Sequence, residues 1–174
     1  MAMLPMLSVM MAACGSGSAE IDRSVVSDFS LGDFMGRWYE IARFDHSFER
    51  GMEYVTADYS LLGDGTVEVL NSGMRDGEPH TAKGRAKSTD TPGRLRVSFF
   101  WIFYSDYNVL AMGANGEWAL VGSRSPKYLW ILSRTPQLGP DVLKGIVDTA
   151  AARGYDTSKL IYVSSGRRPD GVEC

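Results

Sequence analysis

A chain of 174 residues, 44% hydrophobic and 22% charged, has the size and balance of one globular domain with a single core. A net charge of −3 and a pI near 5.4 exclude the basic surface that non-specific nucleic-acid binding needs. No apolar run reaches the ~18 residues of a spanning helix, and the two cysteines, Cys14 and Cys174, form neither a CxxC pair nor a metal-ligand spacing.

The first segment, residues 1–23, differs from the rest. "MLPMLSVMMAAC" is a short apolar run ending in small residues, and "GSGSAEIDRS" after it is polar. A run of about a dozen residues suits the apolar region of a signal peptide rather than a membrane span. Met11-Ala12-Ala13-Cys14 resembles a bacterial lipoprotein processing site, where the cysteine becomes the new N-terminus and its thiolate accepts a diacylglyceryl group. Stable anchoring takes more than one buried chain. No Lys or Arg precedes Cys14, so the positive stretch usual in such signals is missing. The competing reading is a Met-rich N-terminus with a free thiol.

From residue 24 to 174 the pattern is one domain dominated by strands. Trp38–Phe44 alternates bulky and polar residues behind Gly36. Glu53–Leu62 alternates again, and "GDG" at Gly63–Gly65 reads as a hairpin turn. "TVEVLNSG" follows, with the next turn at Asp76-Gly77. Further strands read at Thr81–Ser88, Leu95–Trp101, Tyr107–Met112, Trp118–Ser123 and Tyr128–Arg134, eight in all. A helix begins near Pro140, carries Val142, Leu143, Ile146, Val147, Ala150 and Ala151 at helical spacing, and stops at Gly154. Ile161-Tyr162-Val163 can add a short last strand.

Eight consecutive hairpin-linked strands suggest an all-β protein, an antiparallel up-and-down barrel, because closure removes two exposed edges. The helix has one apolar face and is expected outside the barrel, over Trp118, Leu120, Leu129 and Ile131. At this strand number the interior either fills with side chains or holds one small ligand. Alternation points Val55, Ala57, Tyr59, Val67, Val69, Ala82, Gly84 and Ala86 inward, with Leu95, Val97, Phe99 and Trp101. It also sends in Tyr107, Val109, Ala111, Ala119, Val121, Trp130 and Leu132. So many small inward residues leave room unless large neighbours close it. The candidate ligand-lining set is Val55, Ala57, Tyr59, Val69, Ala86, Val97, Phe99, Trp101, Tyr107, Val109, Val121 and Trp130.

"GRWYEIARF", "DYNVLAMG" and "YLWILSRTP" then occur in order, and with "VSFFWIFYSDYNVLA", "ALVGS" and "GYDTSKLIYV" they resemble the lipocalin family from about Phe29 to Val163. The resemblance is nearest to the bacterial lipocalins and the apolipoprotein D-like group. Met112-Gly113-Ala114 stands where many members carry Thr-Asp-Tyr. The resemblance implies that Trp38 caps one end of the barrel, that Arg134 lies across its ring, and that Gly36 lets the chain turn below. It implies a ligand entering at the other end, a fatty acid or (lyso)phospholipid, and no cofactor. That end carries Phe44–Tyr54 and Ile102–Tyr107, whose aromatics suit a cavity mouth or plain loop packing. Arg43, Arg50 and Arg96 there can meet an anionic head group, though each reads more simply as a solvated charge.

No nucleophile elbow, zinc-helix or phosphate-loop motif is present, which leaves no catalytic residue and no metal site to assign. Asp45-His46-Ser47 is adjacent in sequence, and adjacency does not make a triad. With Gly15 after an acylated Cys14, the expected place is the bacterial outer membrane, facing the periplasm. The resemblance also allows a homodimer. An enzyme or a haem or tetrapyrrole binder on the same barrel is the competing class, since one fold hosts many activities.

Overall fold

The computed structural model describes residues 20–99 and 103–163. Nine strands form one sheet: β1 (Gly36–Phe44), β2 (Glu53–Leu61), β3 (Val67–Arg75), β4 (Glu78–Ser88), β5 (Arg94–Ser98), β6 (Ser105–Met112), β7 (Trp118–Gly122), β8 (Leu129–Ser133) and β9 (Leu160–Tyr162). Eight pair antiparallel with their chain neighbours, and β8 returns to β1 while β1 also pairs with β2, which closes the barrel. The eight expected strands are therefore all present. β9 pairs with β1 at Ala42–Phe44, covering the edge that β2 leaves after Tyr39.

Local chemistry explains the turns. Asp76 and Gly77 both have positive φ (53° and 80°), the backbone that a two-residue hairpin twisted with its strands requires. Helix α1 (Leu31–Phe34) is one turn, capped by the Ser30 hydroxyl accepting from the Asp33 N–H, and lies under the barrel. The sequence reading missed it. Helix α2 (Pro140–Ala152) starts on proline and ends before Gly154, whose φ is 89°.

Two apolar clusters lie on opposite sides of the barrel wall. The inner one joins Phe34, Trp38, Tyr59, Val67, Val69, Ala86, Val97, Val109, Ala119, Val121 and Leu132. The outer one joins Ile41, Phe44, Leu110, Leu120, Leu129 and Ile131 to Ile146 and Ala150 of α2, with Trp118 alongside. The helix thus sits outside, as expected, over β7 and β8 and also over β1 and β6. Strand alternation divides the two sets, with two exceptions at bulges. Between Val109 and Ala111 the β6–β7 register slips, so Leu110 and Ala111 both face α2, and Ala111 is not inward as alternation alone predicted. Between Glu40 and Ala42 the β1–β8 register slips as well.

The first nineteen residues, Cys14 among them, and Cys174 lie outside the described residues. Beyond them, Ile21 packs on the outer cluster, and Asp22 N–H donates to the Arg153 carbonyl at 2.9 Å.

Candidate functional site

One end of the barrel is plugged. Trp38 is fully buried, and its Nε1 donates to the Phe34 carbonyl at 2.9 Å. The Arg134 guanidinium lies 3.7 Å from the Trp38 ring centroid, a contact worth about 0.5 to 2 kcal/mol. Its two terminal nitrogens donate to the Arg37 carbonyl at 2.8 Å and the Asp33 carbonyl at 2.7 Å. Arg134 thereby ties β8, β1 and α1 together. Gly36 is needed for its backbone rather than for space. Its φ is +88°, whereas a Cβ there would meet Arg134 Nη1 at an ordinary 3.6 Å.

Beside Trp38, Phe34 packs edge-on against Tyr59 and Tyr107, with ring centroids 5.3 Å and 6.3 Å apart. The two tyrosine hydroxyls meet at 2.9 Å. Burial pushes both phenols well above their usual range, so both stay neutral hydroxyls. One wall of the interior is built from small residues. Ala57 pairs with Asn71, Asn71 with Ala82, and Val69 with Gly84, all on the inner face. At Gly84 an added Cβ would stand 2.8 Å from the Phe99 ring, so that ring occupies the space the glycine leaves. Val97, Phe99, Tyr107, Val109, Val121 and Trp130 complete the inner face on the neighbouring strands β5 to β8, with Phe99 just past the end of β5.

The candidate lining residues come together. Tyr59, Val69, Ala86, Val97, Val109 and Val121 belong to the inner cluster, and Ala57, Phe99, Tyr107 and Trp130 pack against it while only half-buried. Val55 is buried near Gly73. Trp101 lies outside the described residues.

A buried polar cluster at the wider end was not foreseen. The bulge after Glu40 turns both Ile41 and Ala42 outward, so Glu40 and Arg43, three apart, can both serve the interior. Arg43 is 1% exposed, which corrects its reading as a solvated charge. It pairs with Glu40 and donates to the Glu49 carbonyl at 2.7 Å and the Met52 carbonyl at 3.2 Å. Trp130 Nε1 donates to Glu49 Oε2 at 3.1 Å. His46 Nε2 stands 3.0 Å from the same oxygen, off the hydrogen-bonding direction. These contacts bind the loop of residues 45–52 to β1 and β8. Burial, then the charge of Glu49, push the Glu40 carboxyl up to about 8 against the pull of Arg43.

The Asp45-His46-Ser47 run separates. Asp45 turns to solvent and accepts from Arg50 Nε at 2.9 Å, whereas His46 is buried, stacked on Phe48 at 3.9 Å. Arg96 pairs with Asp106 at 3.3 Å. Phe48 and Phe103 stand 50% and 73% exposed on loops of the wide end. Among the described residues no group of three His, Cys, Asp or Glu side chains is placed to hold a metal ion.

A closed antiparallel barrel plugged by Trp38 at one end, with its helix packed outside the wall, defines the class of up-and-down β-barrels. The Lipocalin-like domain model matches residues 29–165, and the chain belongs to the lipocalin family. It is 42% identical over 172 residues to the outer membrane lipoprotein Blc of Escherichia coli K12, covering 94% of this chain and 97% of that one. Blc of Vibrio cholerae is 45% identical over 143 residues, covering 79% and 84%. Mouse apolipoprotein D is 32% identical over 164 residues, covering 84% and 82%. Among solved structures, insecticyanin of the tobacco hornworm superposes with a TM-score of 0.67 at 23% identity, covering 87% and 88%, a likeness of fold.

Proposed function

We propose that the chain binds one small hydrophobic ligand, a fatty acid or (lyso)phospholipid, inside the barrel, and stores or carries it. The supporting observation is the inner face itself. Ala57, Tyr107 and Trp130 pack against the inner cluster but keep part of their surface accessible, which supports an interior that admits a guest. An apolar chamber with a few polar groups suits an amphipathic guest. Because the relatives in Escherichia coli and Vibrio cholerae are outer membrane lipoproteins, the reading extends to an anchor through acylated Cys14, with the barrel facing the periplasm. No catalytic step is part of it.

The test is native mass spectrometry of purified protein, followed by titration of delipidated protein with octadecanoic acid and a lysophospholipid, read by tryptophan fluorescence. Co-purified lipid and saturable binding are expected. Ala57→Trp and Val97→Trp, with strand content retained, should each weaken binding at least tenfold by filling the chamber. A coloured co-purifying cofactor, or unchanged binding in both variants, would overturn the interior site.

A further inference from the structure

The barrel interior carries hydrogen-bonding capacity that a plain hydrocarbon chain cannot use. β3 keeps unbroken register with β4 from Val67 to Arg75, and Val67 and Val69 point inward, so Asn71 points inward too. Its register partners on both sides, Ala57 and Ala82, are too small to reach its amide and carry no polar group. Asn71 Oδ1 is buried with no hydrogen-bond partner among the described residues. One layer nearer the plug, Tyr59 and Tyr107 share a single hydrogen bond. Two hydroxyls hold two protons and that bond uses one, so the pair keeps one donor in reserve. Successive inward residues on a strand lie roughly 7 Å apart, so the lone acceptor of Asn71 and the spare donor of the tyrosines flank one level of the chamber.

We propose that this level is a specificity site for a hydroxyl group on the buried part of the ligand, so that the barrel prefers a hydroxylated acyl chain to a saturated one. The inference rests on the interior binding site proposed above and names the class of guest that fills it. A hydroxyl both donates and accepts, so one group meets Asn71 Oδ1 and the tyrosine donor together. A ketone accepts only and leaves Asn71 unmet. A saturated chain displaces solvent from both and returns nothing, and an unmet buried polar group is costly. Val97 and Val109, members of the same inner cluster, offer a hydroxyl no competing partner.

The experiment titrates delipidated full-length protein with octadecanoic acid, its 8-, 10- and 12-hydroxy derivatives and the 10-keto derivative. At least one hydroxy acid should bind about tenfold tighter than octadecanoic acid, with the keto acid between. Asn71→Leu and the double variant Tyr59→Phe/Tyr107→Phe, which removes both hydroxyls, should each bring the ratio of the two dissociation constants, hydroxy acid to octadecanoic acid, to about one within the same variant. Asn71→Gln moves the amide outward by one methylene and should shift the preferred isomer. Equal affinity for all five acids in the unaltered protein overturns the specificity site and leaves the lipid-binding reading standing. Binding of none of them removes the lipid-binding reading itself. A hydroxy preference that survives in both variants places the recognition elsewhere in the chain and also overturns the assignment.

Discussion

Glu40 is a carboxyl whose folded environment holds its proton: burial and the neighbouring Glu49 charge raise it from 4.5 to about 8. The folded chain therefore binds that proton more tightly than the unfolded chain does. The stabilisation is full below the ordinary carboxylate range and declines as pH rises from about 4.5 through 8. Glu40→Gln keeps the hydrogen-bonding shape without the titration. Its urea midpoint should change less between pH 5 and pH 9 than that of the unaltered protein, and at pH 9 the variant should be the more stable of the two. Equal pH slopes would show that Glu40 ionises without consequence for the fold. Arg43 is the cation at the centre of the same cluster, with a side chain 2% exposed. Arg43→Ala leaves the buried Glu40 carboxyl and two loop carbonyls unmatched, a loss of about 3 to 5 kcal/mol by urea unfolding. Sequence reasoning placed Arg43 among mouth charges because nothing in "EIARF" announces a bulge. A strict period of two puts Arg43 on the face opposite Trp38, and one extra residue reverses it.

Strand elements were legible because alternation and turn residues agree along most of the chain. Val67, Val69, Ala86, Val97 and Val121 all face the interior as their spacing required. The failures have one cause each. Ala111 points to α2 because a slipped register is a property of two strands and not of one. Helix α1 is four residues long, too short to show a helical period, and only Ser30 with Asp33 marked its cap. The candidate site was legible as an apolar face, but its polar groups were not. The partners of Glu49 come from β1, β8 and its own loop, and sequence spacing does not show which strands will meet. The contact between wall and helix offers a direct test at this scale. A Cβ on Gly122 would stand 2.6 Å from the Tyr155 hydroxyl and 2.9 Å from Leu110 Cδ1. Gly122→Ala should cost about 1 to 3 kcal/mol in urea unfolding. Tyr155→Phe in the same chain should recover part of that loss, since it removes the nearer atom, and a double-mutant cycle would read the coupling. Gly36→Ala should cost about 1 to 3 kcal/mol through its +88° φ alone.

At the scale of the whole molecule, a ligand that binds only the folded barrel must raise its stability. At a free concentration 100 times its Kd the gain is about 2.7 kcal/mol. Thermal unfolding of delipidated protein with rising octadecanoic acid should follow that dependence, and the Ala57→Trp variant should not. The proposed anchor at Cys14 separates from ligand binding in the same way. Cys14→Ser should move the protein from the membrane to the soluble fraction after cell breakage, with ligand titration unchanged. The two apolar clusters give this architecture a further property. Helix α2, β1 and β6 to β8 hold one another through side chains that never reach the chamber, and the Trp38–Arg134 plug closes it from below. Much of the adhesion that keeps the wall upright is therefore independent of what coats its inside. Such a wall can be re-lined over generations, one inward residue at a time, without first learning to fold again.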